Sequence, residues 1–414
     1  MSEALPTSQL GDLATITMGQ SPNSATVNGA GSGLPFLQGC AEFGARFPQP
    51  RFHCSPPLRV AKSGSILISV RAPVGTTNRA DQDYCIGRGL GAVLAKPGVV
   101  DDVFLLHAIE ANLEFLHQRS QGSTFLAIGS KELFSLPVPA PEFAVQRRIA
   151  EILSTLDEAI EQTESLIAKH QQIKAGLMHD LFTRGVTSDG HLRPTRKQAH
   201  DLYKESPLGW IPKVWDVVLL SSLAQFITSG SRGWAEYYNE IGPLFLRIGN
   251  LTREHINFRW DSIARVSLPK FTEGQRTAVI PEDILISITA DLGIIAVANE
   301  SLGEAYVNQH IALVRPVPNG LSSRFLGHFL TTTVVQSQFV RLNDSGAKAG
   351  LNLPAVGKIL VVRPQDDSES TQMASMIDSC DFNIESHKVE LAKLHQQKHG
   401  LMHDLLTGKV RVLK

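Results

Sequence analysis

Apolar residues recur at alternating spacings of four and three along two long stretches of this chain, and no feature constrains its fold more. The first stretch places Ile149, Leu153, Leu156, Ile160, Ile167, Leu177 and Leu181 on one stripe, with Thr163, His170 and Lys174 in the intervening slots. The second repeats the same frame through Met373, Ile377, Cys380, Ile384, His387, Leu391, Leu394, Lys398, Leu401 and Leu405. No proline or glycine interrupts the first stretch before Gly176. This is the heptad pattern of a long helix with a narrow seam. At 1.5 Å per residue each helix is expected to run roughly 50–55 Å. A helix of this kind does not bury its stripe alone in water, so two equal stripes in one chain are expected to pack on each other. An antiparallel pair gives the chain an internal pseudo-two-fold axis.

The duplication extends beyond the helices. Each stretch ends in nearly the same word, GLMHDLFTRGV from Gly176 and GLMHDLLTGKV from Gly400. Before the helices, SILISVRAPVG (65–75) matches DILISITADLG (283–293), and IGRGLGAV (86–93) falls where VNQHIALV (307–314) does. PFLQ (35–38) likewise echoes LFLR (244–247). These short apolar runs, punctuated by Gly and Pro, predict a β-rich globule ahead of each helix. The expected class is α+β. Globules occupy 1–143 and 209–368, spacer helices 144–184 and 369–406, a polar linker 185–208 and a tail 407–414. A period this long marks a domain duplication rather than a solenoid.

Composition narrows the function classes. With 39 Lys/Arg against 40 Asp/Glu the net charge is −1, so any anion-binding surface arises from local arrangement and not from a bulk basic field. Four scattered cysteines suit neither a disulfide framework nor a metal knuckle, and a reducing, cytoplasmic setting is expected. No secretory signal is visible at the N-terminus, and the most apolar run, 284–298, contains Asp291 and Gly293 and reads as buried strands.

Catalytic signals are weak. In the His179–Asp180 and His403–Asp404 pairs, adjacent helix residues point about 100° apart and do not form an oriented base–carboxylate couple. His395, His399 and His403 have the spacing of a metal site, but the first copy carries Gln171, Ala175 and His179 there, so no metal is expected. CSPPL (54–58) only faintly matches the proline-rich motif of amino methyltransferases, and Gly87, Gly89 and Gly91 do not spell a dinucleotide-binding loop. A phosphate-binding Walker sequence is also absent.

PEFAVQRRIAEILSTLDEAI (141–160) following SLPVP, GLMHDLFTRG, GWIPKVWDVV (209–218) and HGLMHDLLTGKVRV (399–412) occur together in one order and spacing. On these motifs the chain resembles the specificity subunits of Type I restriction-modification systems over essentially its whole length. The resemblance implies that the globules are target recognition domains, each reading one half of a split double-stranded DNA sequence. The paired helices then set the gap and bind two modification subunits, and restriction subunits join the assembly. It also implies that this chain is not itself an enzyme and holds no cofactor. S-adenosylmethionine and ATP with Mg are expected on the partners.

Arginine suits guanine, and Asn or Gln suits adenine. On that basis the loops after the recurrent strands supply the DNA-binding candidates. In the first half these are Gln38, Arg71, Arg79, Arg88, Ser123, Thr124 and Lys131. In the second they are Arg232, Arg247, Asn250, Thr289, Asp291, Asn308, Gln309, His310 and Lys348, with Trp234 beside Arg232. Leu177, Met178, Leu181, Leu401, Met402 and Leu405 in the repeated word are expected to dock partner subunits. A stand-alone modification or restriction enzyme is the alternative, and a coiled-coil scaffold without a DNA role is a third reading.

Overall fold

The computed structural model describes residues 5–119, 127–230, 233–267, 276–343 and 350–412. Four helices organise it: α1 (Asp102–Ala111), α2 (Phe143–Arg184), α3 (Ser323–Leu330) and α4 (Asp367–Leu406). The chain divides into two compact units, Met1–Ser165 with Lys388–Lys414, and Leu166–His387. Each unit is therefore one globule plus the near part of one long helix and the far part of the other.

In the first unit a four-stranded antiparallel sheet runs Ala14–Met18, Leu90–Ala95, Ile66–Ser69, Thr77–Arg79. A five-stranded sheet beside it contains a parallel pair, Leu34–Leu37 with Tyr84–Ile86. The second unit repeats the four-stranded antiparallel sheet, and carries its parallel pair in a four-stranded rather than a five-stranded sheet. Its first sheet runs Ala224–Ser229, Ile311–Pro316, Ile284–Ser287, Ile295–Val297, and the parallel pair is Tyr238–Leu246 with Ala305–Val307. The shared ILIS words, Ile66–Ser69 and Ile284–Ser287, are buried at every position, as a central strand covered on both faces requires.

The long helices complete each core. In the first unit Ile149, Leu153, Leu405 and Leu406 pack with Phe104, Leu105 and Leu133. In the second, Leu181, Phe182, Met373 and Ile377 pack with Trp215, Phe325 and Phe329. Phe182 meets the rings of Phe325 and Phe329 edge-on at 5.5 and 5.3 Å.

The polar seam residues explain the register. Lys398 on α4 reaches the Asp157 carboxylate on α2 at 2.6 Å, and Lys174 on α2 pairs with Asp381 on α4. Within the first unit, advancing along α2 from Leu153 to Asp157 retreats along α4 from Leu405 to Lys398. Within the second, advancing from Lys174 to Leu181 retreats from Asp381 to Ile377 and Met373. The helices are therefore antiparallel in both. His170 stacks on His387 at 5.4 Å, and Thr163 is buried with its hydroxyl donating to the Ala159 carbonyl at 2.7 Å. These side chains thus lie between the helices or against them, where buried polar groups specify register. A histidine from the globule faces the long helices at an equivalent place in each unit, though in the second it meets Asp378 rather than the Asp381 of the lysine pair. His107 of α1 lies 3.4 Å from Asp157, and His328 of α3 bonds Asp378 at 2.7 Å. Burial drives the His328 imidazole down from its ordinary value despite the pull of Asp378. The grouping of His328, Asp378 and Asp381 resembles a metal ligand set, but Arg324 and Lys174 already match its carboxylates.

The polar stretch 185–208 is folded, not a free tether. Gly185 ends α2 at φ +65°, and Val186 and Tyr203 are buried. The buried Glu369 carboxylate holds this turn in place. It accepts from Val186 N at 3.0 Å, from Trp215 Nε1 at 3.1 Å and from both terminal nitrogens of Arg193. A Cβ on Gly185 would lie 2.2 Å from Glu369 Oε1, so the turn requires glycine on both conformational and steric grounds.

Candidate nucleic-acid interface

Strand pairing gathers part of the expected surface at one sheet end in each unit. In the first, the parallel pair delivers Gln38 and Arg88 side by side, because Leu37 stands opposite Ile86 and Gly87 N donates to Leu37 O at 2.8 Å. The antiparallel neighbour adds Arg71, since Val70 N donates to Gly89 O at 2.9 Å. Gln38, Arg71 and Arg88 are all exposed there. Glycine at 89 is dictated by close approach: a Cβ would lie 2.8 Å from the Gln38 carbonyl oxygen. Lys131 is also exposed, on the short helix Ser130–Phe134.

The second unit builds the same end from different side chains. Leu246 stands opposite Val307, Asn308 N donates to Leu246 O at 3.0 Å, and Ile288 N donates to His310 O at 2.9 Å. This brings Arg247, Thr289, Gln309 and His310 together. Thr289 Oγ1 lies 2.8 Å from His310 Nδ1, and Gln309 Nε2 lies 3.0 Å from His310 Nε2. Arg247 donates to Ser262 Oγ at 2.7 Å. The loop edges correspond as well, because Arg71 bridges to Ala127 and Thr289 to Gly350.

Several expected residues have other duties. Arg79 is ion-paired with Asp102, and the Asp291 carboxylate is held by Arg253. Asn250 is 2% exposed, and its side chain accepts from Arg247 N and donates to Ser262 O, which makes it a turn-former with nothing left for a ligand. Asn308 is buried and accepts from His310 N at 3.1 Å. Trp234 is likewise buried, stacked on Phe245 at 5.1 Å. Ser123, Thr124, Arg232 and Lys348 lie outside the described residues.

The repeated word also divides by role. Leu181 and Leu405 are buried in the core of their own units, with Leu177 and Leu401 half-buried against the same cores, so these leucines stabilise the globules and are not a free docking face. Met178 and Met402 also touch these cores but in addition line two clefts, of about 300 and 470 Å³. Ala175, Met178, His179, Phe182 and Thr183 line one, and His399, Met402, His403, Leu406 and Thr407 line the other. Aligning the two words at Gly176 and Gly400 sets each member of the second group on its counterpart in the first. The globules contribute equivalent walls, Thr331–Val334 with Val362 in one and Glu110–Asn112 with Pro139 in the other. Sequence reasoning missed these clefts and the Asp157 and Asp381 partners of the seam lysines. The signal was present in both cases, because each of these positions recurs at the same separation as the helices.

A duplicated chain of this architecture matches the family model for the Type I restriction modification DNA specificity domain twice, over residues 57–170 and 213–396. The chain belongs to that family. Among curated members of the specificity family, it is 40% identical over 171 residues to the putative type I restriction enzyme MjaX specificity subunit of Methanocaldococcus jannaschii, covering 41% of this chain and 40% of that one. It is 24% identical over 324 residues to the MjaVIII specificity subunit of the same organism, covering 77% and 72% of the two chains. The Type I S subunit from M. genitalium superposes with a TM-score of 0.64 at 18% identity, covering 97% of this chain and 96% of that one. A chain from a solved type I R-M complex gives 0.53 at 16% identity and 98% coverage of both. The α+β class with two globules and two antiparallel helices is thus the fold of the family. No helix among the described residues is long and apolar enough to cross a membrane.

Proposed function

We propose that this chain is the DNA-reading and assembly subunit of a Type I restriction-modification complex, each unit reading one half of a split target. One observation carries the reading. The same sheet end recurs in both units with different side chains, Gln38, Arg71 and Arg88 in one and Arg247, Thr289, Gln309 and His310 in the other. A shared scaffold with divergent tips is what two readers of unrelated sequences require, since base edges are distinguished by a few placed donors and acceptors. The length of α2 and α4 sets the unread gap.

The chain itself is non-catalytic. S-adenosylmethionine is used by modification subunits, and ATP with Mg by restriction subunits, all in the cytoplasm. The matched clefts around Met178 and Met402 support two copies of one modification subunit, because a duplicated chain offers the same surface twice.

Arg71→Ala in the assembled complex tests the reading. It weakens or relaxes recognition of the first half-site and leaves the second unchanged, as mapped by sequencing methylated bases. Equal loss at both halves would place Arg71 in folding instead.

A further inference from the structure

We infer that Gln309 reads an adenine in the half-site of the second unit and that His310 and Thr289 hold its carboxamide ready to do so. This rests on the reading that the second unit contacts DNA. The geometry fixes the hydrogens. A carboxamide nitrogen only donates, so at 3.0 Å from Gln309 Nε2 the His310 Nε2 atom must accept. The imidazole proton then sits on Nδ1, 2.8 Å from Thr289 Oγ1, and donates to that oxygen. The main chain of His310 is fixed in turn, because His310 N donates to Asn308 Oδ1 at 3.1 Å and His310 O accepts from Ile288 N at 2.9 Å.

One N–H of Gln309 is thereby committed, which leaves the second N–H and the carbonyl oxygen. That donor–acceptor pair complements N7 and the N6 amino group of adenine in the major groove. The Thr289 hydroxyl proton is also left to donate outward. A glutamine already held in one rotamer loses less conformational freedom on binding than a free one, and a wrong base leaves its donor or acceptor unmatched.

The first unit shows that the clamp is particular to the second. Its equivalents are Arg71, Arg88 and Gly89, and the Gln38 carbonyl leaves no room for a side chain at 89. Among the described residues no hydrogen bond or ion pair holds the Arg71 or Arg88 side chain, so two arginines stand in place of a clamped glutamine and the two units carry different recognition chemistry on one scaffold.

The test is methylated-base sequencing on DNA treated with the complete complex of this chain and its modification subunits. The wild type gives a second half-site with an A·T pair at one fixed position. Gln309→Ala lowers discrimination at that position by about tenfold, the scale of one bidentate base contact, and leaves the other positions intact. His310→Ala relaxes the same position. Gln309→Glu has the same shape and keeps only acceptors, so it moves the preference from adenine toward cytosine, whose N4 amino group donates. Unchanged discrimination in Gln309→Ala, or a uniform loss across both half-sites, overturns the inference. A wild-type complex that binds DNA without sequence preference would instead overturn the reading beneath it.

Discussion

Glutamine at position 369 changes almost no volume and removes one charge from a carboxylate shared by the N–H donors of Val186, Trp215 and Arg193. Glu369 is 5% exposed and Arg193 15%. Removing one partner of a buried ion pair costs about 3–5 kcal/mol, because the remaining charge stays desolvated. The new amide nitrogen must face either Arg193 or the donors of Trp215 and Val186, and that conflict costs a further ~1–3 kcal/mol, overlapping with the first term. A loss of about 4 kcal/mol follows for the second unit. The four tryptophans, Trp210, Trp215, Trp234 and Trp260, all lie in that unit, so intrinsic fluorescence follows its unfolding selectively. With a urea dependence near ~2 kcal/mol per molar, the fluorescence midpoint of Glu369→Gln falls by about 2 M. The double variant Arg193→Met, Glu369→Met recovers only part, since Trp215 Nε1 and Val186 N still lack an acceptor. A midpoint drop below about 0.5 M would refute the reasoning, because the cluster would then contribute no more than an exposed pair.

The two seam lysines give a graded comparison. Lys174→Met strands Asp381, whose side chain is 4% exposed, and costs about 3–5 kcal/mol in urea denaturation, whereas Lys398→Met leaves Asp157 39% exposed and costs at most about 1 kcal/mol. Acid stability has a separate origin. Burial alone would raise the Asp378 carboxyl, but hydrogen bonds from His328 and Arg324 outweigh it and hold the group at about 2, below the ordinary 3.8. A carboxyl depressed in the folded state stabilises above its unfolded value and loses that contribution as pH falls from about 3.8 to 2, on the order of 2 kcal/mol. Asp378→Asn therefore flattens the acid limb of the second unit in that window, followed by tryptophan fluorescence. Finally, on the proposed docking Met178→Glu and Met402→Glu are each expected to remove one bound modification subunit, read by native mass spectrometry, with circular dichroism checking that each variant stays folded because both methionines also touch the unit cores.

The seam, the duplication and the recurrent strands were legible because each obeys a strict period or repeats a word. What the period hid was shared use of residues. Leu181 and Leu405 fall on the heptad stripe, yet each closes a globule core, because a helix end packed against a sheet buries more than its partner helix covers. Asn250 read as an available loop amide, and its capping bonds are invisible without coordinates. The stretch 185–208 read as a linker by polarity alone, since the carboxylate that pins it belongs to Glu369, far along the chain from Arg193. At the candidate interface, the sequence indicated which loops follow the recurrent strands, and strand pairing shows which of them meet. The sequence did not indicate that Arg79 and Asp291 are already paired within them.

The central claim is that two unlike readers share one chain, and the bases methylated by the complex test it most directly. Sequencing of modified bases in cells carrying this chain with its modification subunit is expected to give two unrelated half-sites separated by a fixed unread gap. A single contiguous motif, or two half-sites of identical sequence, would contradict it.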